Sequence, residues 1–374
     1  MAANSIGKAF VVTTFGESHG RCVGAVIDGC PAGLPLSEKD IQAELDRRIP
    51  KKPEITSERI EKDTVKFLSG TFEGHTTGAP ICMLVWNKEA APSEYDIIKD
   101  LPRPGHADYP AYIRYGGFSD YRGSGRFSGR ITVSFVMAGA VAKKLLRLFG
   151  VEVLAYTKAV GGIEMKETPT LEKIREETYK NPVRCPDPVY AEAMEKAIVE
   201  ARKEGDSLGG IVECIALNVP AGVGEPMFDA LDSDIAKAIF AVPAVKGVEF
   251  GAGFKAAAMK GSENNDPYVI KNGKVLTLTN NAGGVLGGLS NGMPIVIRAA
   301  IKPTPSIAKE QKTINLAELK EATLQVKGRH DPCIVPKAVP AIESMVAIVL
   351  ADHMIRAGII PRVLDGKRDV RENS

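Results

Sequence analysis

The segment VIDGCPAGLPLSEKDIQAEL (residues 26–45) is repeated in outline by IALNVPAGVGEPMFDALDSDIAKAI (residues 215–239). Each runs from an apolar strand through Pro-Ala-Gly into a helix with an acidic start. Further along, TGAPICMLV (77–85) is echoed by NGMPIVIRA (291–299), so the elements recur in the same order in each half. The simplest reading is an ancient duplication, giving two similar β-sheets with helices packed against them. Chance likeness of common strand–turn–helix units is the alternative. No Pro/Ser-rich linker parts the halves. One domain over 1–374 is therefore expected, with pseudo-repeats at about 8–150 and 205–358.

Outward from that repeat, strands are expected at 8–15 and 23–28, separated by the polar turn GESHG. Ser37 is a plausible N-cap with Asp40 three residues on, for a helix ending near Arg47 and Arg48 ahead of Pro50. Residues 78–86 read as a buried strand and 136–149 as a helix, with Val141, Leu145 and Leu148 on one face and Gly150 as its stop. Helices are expected at 171–180 and 188–204, the second opened by Asp187-Pro188 and closed by Gly205. A strand follows at 211–219, and Asn272-Gly273 predicts a type I′ hairpin over 268–278. A strongly apolar helix should run over 341–356, opened by Pro340 and closed by Gly358. Residues 87–128 carry little periodicity, and a stretch that long in a compact enzyme is usually functional or disordered; its aromatic residues and charges argue against disorder.

Composition narrows the function. A chain of 374 residues with 44% hydrophobic content can bury a large core without staples. Its formal net charge is only +2, so any anion site must come from local clustering rather than a global basic field. Cys22, Cys30, Cys82, Cys185, Cys214 and Cys333 form no C-x-x-C pair and read as buried free thiols. No metal site is expected. The N-terminus lacks a long apolar h-region and no run reaches the roughly 18 apolar residues of a membrane span, which fits a reducing cytoplasm.

Histidine is the side chain whose ordinary pKa lies nearest neutrality, so the five histidines are the first candidates for proton transfer. His353 sits near a helix C-terminus, His75 in a Gly/Thr-rich turn and His330 between Arg329 and Asp331. Structural roles suffice for all three. His19, in Gly16-Glu17-Ser18-His19-Gly20, and His106, in Arg103-Pro104-Gly105-His106-Ala107-Asp108, have better surroundings, although spacing alone leaves a structural role open for each. The most informative segment is Asp120-Tyr-Arg-Gly-Ser-Gly-Arg-Phe-Ser-Gly-Arg130, where Arg122, Arg126 and Arg130 recur every four residues among glycines and hydroxyls. Arginine forks grip carboxylates and phosphates, and exposed backbone N–H groups add to the cradle. It is neither a Walker A loop nor a Rossmann fingerprint, and a solvated basic loop is the plain alternative. Asn280–Gly288, Lys302–Ser306 and Lys327–Asp331 are weaker candidates. With Arg48 and Arg103 they are many anion-binding groups for a nearly neutral chain, and a substrate bearing several carboxylates or phosphates accounts for them.

These segments resemble chorismate synthases over nearly the whole chain. The resemblance is carried by TTFGESHG (13–20), LDRRIP (45–50), RPGHADY (103–109), DYRGSGR (120–126), KEGDSLGG (203–210), VPAGVGEP (219–226), AVKGVEFGAGF (244–254), NNAGGVLGGLSNGMPI (280–295), IKPTPSI (301–307) and KGRHDPC (327–333). It implies conversion of 5-enolpyruvylshikimate 3-phosphate to chorismate and phosphate, the last step of the shikimate pathway. That reaction is an anti-1,4-elimination needing reduced FMN without net redox change. It also implies an α+β fold, a β-α-β sandwich of two antiparallel sheets around a helical layer, and a homotetramer. By the same carry-over, Arg48, Arg103 and Arg130 bind substrate anions, and His19 assists the departing phosphate. His106 protonates and holds the reduced flavin, and Asp331 with Ser18 relays a proton from flavin N5. Arg126, Phe127, Ser128, Ala244, Gly287, Lys302, Pro303, Thr304, Pro305, Ser306 and Arg329 match flavin-contacting segments.

Three positions depart from the family pattern. Glu54 stands where many members carry arginine, Phe127 where they carry serine and Pro243 where they carry asparagine. Lys51, Lys52 or Arg59 are the candidates to replace the missing cation. Two rival readings are a flavin reductase using NADPH, for which no nucleotide fingerprint speaks, and a nucleic-acid module stacking bases on Tyr109, Tyr112, Tyr115 and Tyr121. Near-neutral charge and the two isolated histidines argue against nucleic acid.

Overall fold

The computed structural model describes residues 3–49, 52–56, 63–88, 99–326 and 331–364. The first half supplies β1 (Ser5–Ile6), β2 (Val11–Gly16), β3 (Cys22–Asp28), α1 (Glu38–Arg48) and β4 (Val65–Ser69). A short hairpin, β5 (Thr71–Phe72) and β6 (His75–Thr76), leads to β7 (Ile81–Trp86), α2 (Asp108–Tyr115) and α3 (Thr132–Arg147). The second half supplies β8 (Glu152–Val160), β9 (Ile163–Glu164), α4 (Leu171–Glu177), α5 (Pro188–Lys203), β10 (Gly210–Leu217), α6 (Leu231–Phe240) and β11 (Val245–Phe250). Then come α7 (Gly261–Asn264), the hairpins β12 (Tyr268–Lys271) with β13 (Lys274–Thr277) and β14 (Val285–Leu286) with β15 (Leu289–Ser290), and β16 (Ile295–Ile301). The hairpin β17 (Gln311–Asn315) and β18 (Lys320–Leu324) precedes the last helix, α8 (Val335–Arg356).

The class is α+β, with two five-stranded antiparallel sheets. The first has the order β1-β2-β3-β7-β4 and the second β11-β16-β10-β8-β9. Superimposing the orders pairs β2 with β8, β3 with β10, β7 with β16 and β4 with β11. In each half the helix after Pro-Ala-Gly, α1 or α6, lies between the second and third of these strands in the chain. Helix α3 packs on β3 and α8 packs on β8 and β10, and α3 and α8 pack on one another. That crossing is close at Gly139, where a Cβ would stand 2.2 Å from the Cβ of Ser344. Only glycine fits there without moving a helix backbone.

Local chemistry explains most boundaries. Ser37 N–H bonds Asp40 at 2.8 Å at the start of α1. The Asp187 carboxylate accepts the Val189 and Tyr190 N–H groups at 2.9 and 3.2 Å, with Pro188 opening α5. Asn272 and Gly273 have φ of 53° and 73°, as a type I′ turn requires. Four expectations need correction. Helix α3 begins at Thr132 rather than 136, and Leu148 sits at its C-cap, exposed, rather than on the buried face. The stretch expected to be irregular contains α2, short and mostly exposed, whose outer face carries aromatics in place of the usual polar residues. Helix α8 begins at Val335 and carries Pro340 inside it. That helix is long and apolar enough to cross a membrane by composition, yet it is almost entirely buried within the fold. Finally, all six thiols are free, but only Cys30, Cys185, Cys214 and Cys333 are buried, since Cys22 and Cys82 lie half-exposed near the open face of the first sheet.

Candidate active site

The glycine-rich segment 122–130 is the hub. Gly123, Ser124 and Gly125 all have positive φ (52°, 73° and 50°), so the chain turns sharply before α3 instead of running as a helix. The four-residue spacing of its arginines therefore does not bring them together, and the expected three-arginine cradle is not formed. Arg122 pairs with Asp120 at 2.8 Å near the surface. Arg126 is spent on strand β2, donating to the Thr14 hydroxyl at 2.7 Å and the Gly16 carbonyl at 3.1 Å. Arg130 alone turns inward.

Several other candidates meet this hub. The His19 ring lies against Gly123, where a Cβ would fall 2.3 Å from Cδ2. Ser18 is buried and receives the Ser128 hydroxyl at 3.2 Å, while its N–H bonds the Gly125 carbonyl at 3.3 Å. Arg48, at the end of α1, donates to the Gly129 carbonyl and the Thr132 hydroxyl at 3.1 Å each. Arg130 donates to Asp63 at 2.5 Å, and Arg48 lies 3.7 Å from the other oxygen of that carboxylate. Asn87 straps the hub to the GESHG turn, accepting from Arg130 and donating to the Glu17 and Gly20 carbonyls at 3.0 and 2.8 Å.

Arg103 anchors the opposite wall. Its guanidinium forks onto Asp108 at 2.8 Å through both Nε and Nη2, and also reaches the Ser124 and Ser306 hydroxyls at 2.8 and 3.0 Å. His106 Nδ1 stands 2.7 Å from Asp108 Oδ1. Burial pushes the His106 pKa down, Asp108 opposes this, and Arg103 and Lys302 add to the depression, leaving it below the ordinary value. Burial pushes the Asp108 carboxyl up, but hydrogen bonds from Arg103 and His106 outweigh it and hold it well below the usual carboxylate range. The 302–306 strip closes this wall. Lys302 N–H bonds the Ala244 carbonyl and its ammonium the Gly105 carbonyl, both at 2.9 Å.

Asp331 is held by the Thr56 hydroxyl at 3.1 Å and the Lys337 ammonium at 2.6 Å. Burial lowers the Lys337 pKa, Asp331 opposes this, and Arg48 and Arg184 lower it further, which places these cations near one another. Asp63, Asp108 and Asp331 are fewer than Arg48, Arg103, Arg130, Lys302 and Lys337, so the site keeps surplus positive charge for an anion.

Some candidates stand apart. Gly287 lies in the β14–β15 turn beside the start of α6, whereas Ala244 follows its end, about 15 Å along a ten-residue helix. Phe127 is exposed and Glu54 is solvent-facing on a short 3₁₀ turn. Lys52 pairs with Glu195 of α5. Arg329, with Lys51, Arg59 and His330, lies outside the described residues. His75 Nδ1 meets the Glu73 carbonyl, and His353 pairs with Asp234 at 2.9 Å, away from the hub. Sequence reading did not single out Asp63, Asn87, Thr56 or Lys337. Asp108, two residues after His106 in the same motif, was the one with a usable signal.

The sequence and fold are similar to those of known proteins. A family model described as chorismate synthase matches residues 10–355. A chorismate synthase of Dehalococcoides mccartyi is 54% identical over 97% of this chain and 99% of its own length. Those of Methanococcoides burtonii and Korarchaeum cryptofilum are each 55% identical over 96% of this chain, covering 98% and 99% of their own. A crystal structure of chorismate synthase aligns with a TM-score of 0.72 at 33% identity, covering 94% of this chain and 93% of that one. Likeness of this depth runs through both sheets and through every segment that meets the hub, and so the chain belongs to the chorismate synthase family.

Proposed function

We propose that the protein eliminates phosphate from 5-enolpyruvylshikimate 3-phosphate to give chorismate, in an anti-1,4 sense and with reduced FMN. The observation that carries the reading is the hub itself. One loop, 122–130, touches the groups that handle protons (His19, Ser18) and those that bind anions (Arg48, Arg103, Arg130). The substrate has two carboxylates and a phosphate, and the site has surplus guanidinium and ammonium groups to meet them.

The residues present fit a flavin phosphate. The Thr304 hydroxyl is enclosed and makes no hydrogen bond among the described residues, beside Lys302 and Ser306. Beyond Arg103 and Asp108, a cavity of about 990 Å³ is walled in part by Ala107, Asp108, Ser124, Arg126, Phe127 and Pro243. Lys302–Ser306 with Ala244 would hold the cofactor, and Gly287 and Arg329 remain assignments by resemblance. When bound, reduced FMN supplies the electron-rich ring that lets the C–O bond part without net redox change.

The chain's own groups have these tasks. Arg48 and Arg130, fixed by Asp63, orient the substrate anions. His19, set against Gly123, delivers a proton to the departing phosphate. His106 turns Nδ1 to Asp108 and so offers Nε2 to the cofactor. Asp331 accepts a proton at a carboxylate that Thr56 and Lys337 hold in place. The same reading takes the fold as a β-α-β sandwich produced by duplication, in a cytoplasmic homotetramer.

The test is anaerobic phosphate release from the substrate with catalytic photoreduced FMN and no NADPH. Stoichiometric chorismate with no net flavin oxidation is the expected result, with kcat lowered roughly a hundredfold in His106→Ala. Turnover only when NADPH is present would point to a flavin reductase activity as well. Substrate binding without phosphate release would mean that Glu54, Phe127 and Pro243 have changed the chemistry.

A further inference from the structure

Arg184 lies outside the short motifs quoted from the sequence, yet it is 3% exposed and bonded to two site-bearing helices. One guanidinium nitrogen donates to the Pro336 carbonyl in the first turn of α8, and the other donates to the Arg47 carbonyl at the end of α1. Both acceptors are orphans of their helices. Arg47 is among the last four carbonyls of α1, which have no partner inside the helix. The Pro336 carbonyl would ordinarily receive the N–H four residues on, but that residue is Pro340, which has none. Each acceptor directly precedes a site residue in the chain. Arg48 follows Arg47, and Lys337, which holds Asp331, follows Pro336.

We propose that Arg184 is a positioning residue that fastens α1 to α8 and so sets Arg48 and the Lys337–Asp331 pair at the spacing the anionic substrate needs. The inference rests on the reading of Arg48 and Asp331 as site groups. Arg184 is itself rigidly seated. Its carbonyl accepts the Thr157 N–H of β8 at 2.9 Å, and its backbone sits at φ 61°. The Asn181 side chain pins the same turn through the Cys185 carbonyl at 2.7 Å. The Tyr179 ring packs against both Arg47 and Arg184, at 4.7 and 5.5 Å from its centroid. Stability alone does not account for it. Any residue but proline at 340 would close the gap in α8 with its own N–H, and burying a guanidinium is expensive. A planar fork with two separate nitrogens reaches two carbonyls in fixed directions, which a single backbone N–H cannot do and a lysine's point-like ammonium does less well.

The experiment uses the full-length protein and the variants Arg184→Gln, Arg184→Lys, Pro340→Ala and Arg184→Gln/Pro340→Ala. Thermal unfolding is followed with the dissociation constant of 5-enolpyruvylshikimate 3-phosphate, by calorimetry without flavin and at a temperature where each variant is folded. Arg184→Gln should lower Tm and weaken binding roughly tenfold, with Arg184→Lys showing the same weakening to a smaller degree. Adding Pro340→Ala restores the helix bond to Pro336 and should recover Tm while leaving binding weak. Recovery of binding together with Tm, or unchanged binding in folded Arg184→Gln, would overturn the proposal. Tight binding by the wild type without turnover would count against the reaction alone, because the binding comparison still decides the role of Arg184. A wild type that does not bind this probe overturns both.

Discussion

His106 faces two groups that make opposite demands on one nitrogen. Asp108 at 2.7 Å needs a proton on Nδ1, and Arg103 at 3.2 Å needs a lone pair there. The shorter, charge-assisted contact wins, which puts the proton on Nδ1 and the free lone pair on Nε2. Because its folded pKa lies below the ordinary value, the unfolded chain takes up this proton first as pH falls. Stability is unaffected above about pH 6.5 and is lost progressively below it. Unfolding free energies of wild type and His106→Gln should therefore converge on acidification, and Asp108→Asn should move the imidazole titration, read by NMR, further down. Parallel stability curves at all pH values would contradict the assignment. At this scale the sequence was legible where chemistry sits within one motif, as in Gly16–Gly20 and Arg103–Asp108. It misled where spacing was taken for proximity. Arg122, Arg126 and Arg130 share a helical period, but the positive φ angles of residues 123–125 send them in three directions. Asp63 and Lys337 reach the site only by folding, and no local pattern marks them.

Among the elements, those with a strong local signal were read correctly and those set by tertiary contact were not. The caps of α1 and α5 and the Asn272-Gly273 turn are chemical instructions that act over two to four residues. Helix α2 is short and its outer face is apolar, so its periodicity is hidden. Pro340 looked like a helix opener because a proline inside a helix costs a hydrogen bond. The donor that makes up for it, Arg184, stands 152 residues along the chain from the Pro336 carbonyl it serves. The end of α8 is tied to β2 by a similar long-range device. Asp352 Oδ1 accepts the N–H groups of Lys8, Ala9 and Phe10 at 2.7, 2.6 and 2.8 Å, immediately before that strand starts. Removing the carboxylate strands three donors, one of them buried. Asp352→Ala should cost about 2–4 kcal/mol, and Asp352→Asn less because one acceptor oxygen survives. Hydrogen exchange supplies the sharper check, with protection lost first in β2. Loss spread evenly over both sheets would mean that the contact is incidental.

For the whole molecule, the question is what joins two halves that each have their own sheet. Apolar packing of α3 on α8 does most of it, but one buried charge cluster crosses the same seam. Lys143 of α3 reaches both Glu44 of α1 and Glu343 of α8, and Glu343 in turn accepts the Ala155 N–H of β8 at 3.1 Å. The first half thus contributes the cation and one carboxylate, and the second half the other carboxylate and the strand. Burial pushes the Glu44 carboxyl up, but Lys143 and Arg47 overcome it and hold it below its ordinary value. Its contribution is present above about pH 4.3 and is lost as pH falls through the folded value. Lys143→Met removes the ammonium that bonds both carboxylates directly and should cost about 3–5 kcal/mol at neutral pH, read by denaturant unfolding. Desolvation of Glu44 is then opposed mainly by Arg47, so its pKa should rise and the gap to wild type should narrow on acidification toward about pH 5. Adding Glu343→Gln should recover part of the loss at pH 7, because it removes one stranded charge while keeping the bond to Ala155. If Lys143→Met is as stable as wild type across this range, the seam is held by packing alone, and the cluster only sets how the two halves fit.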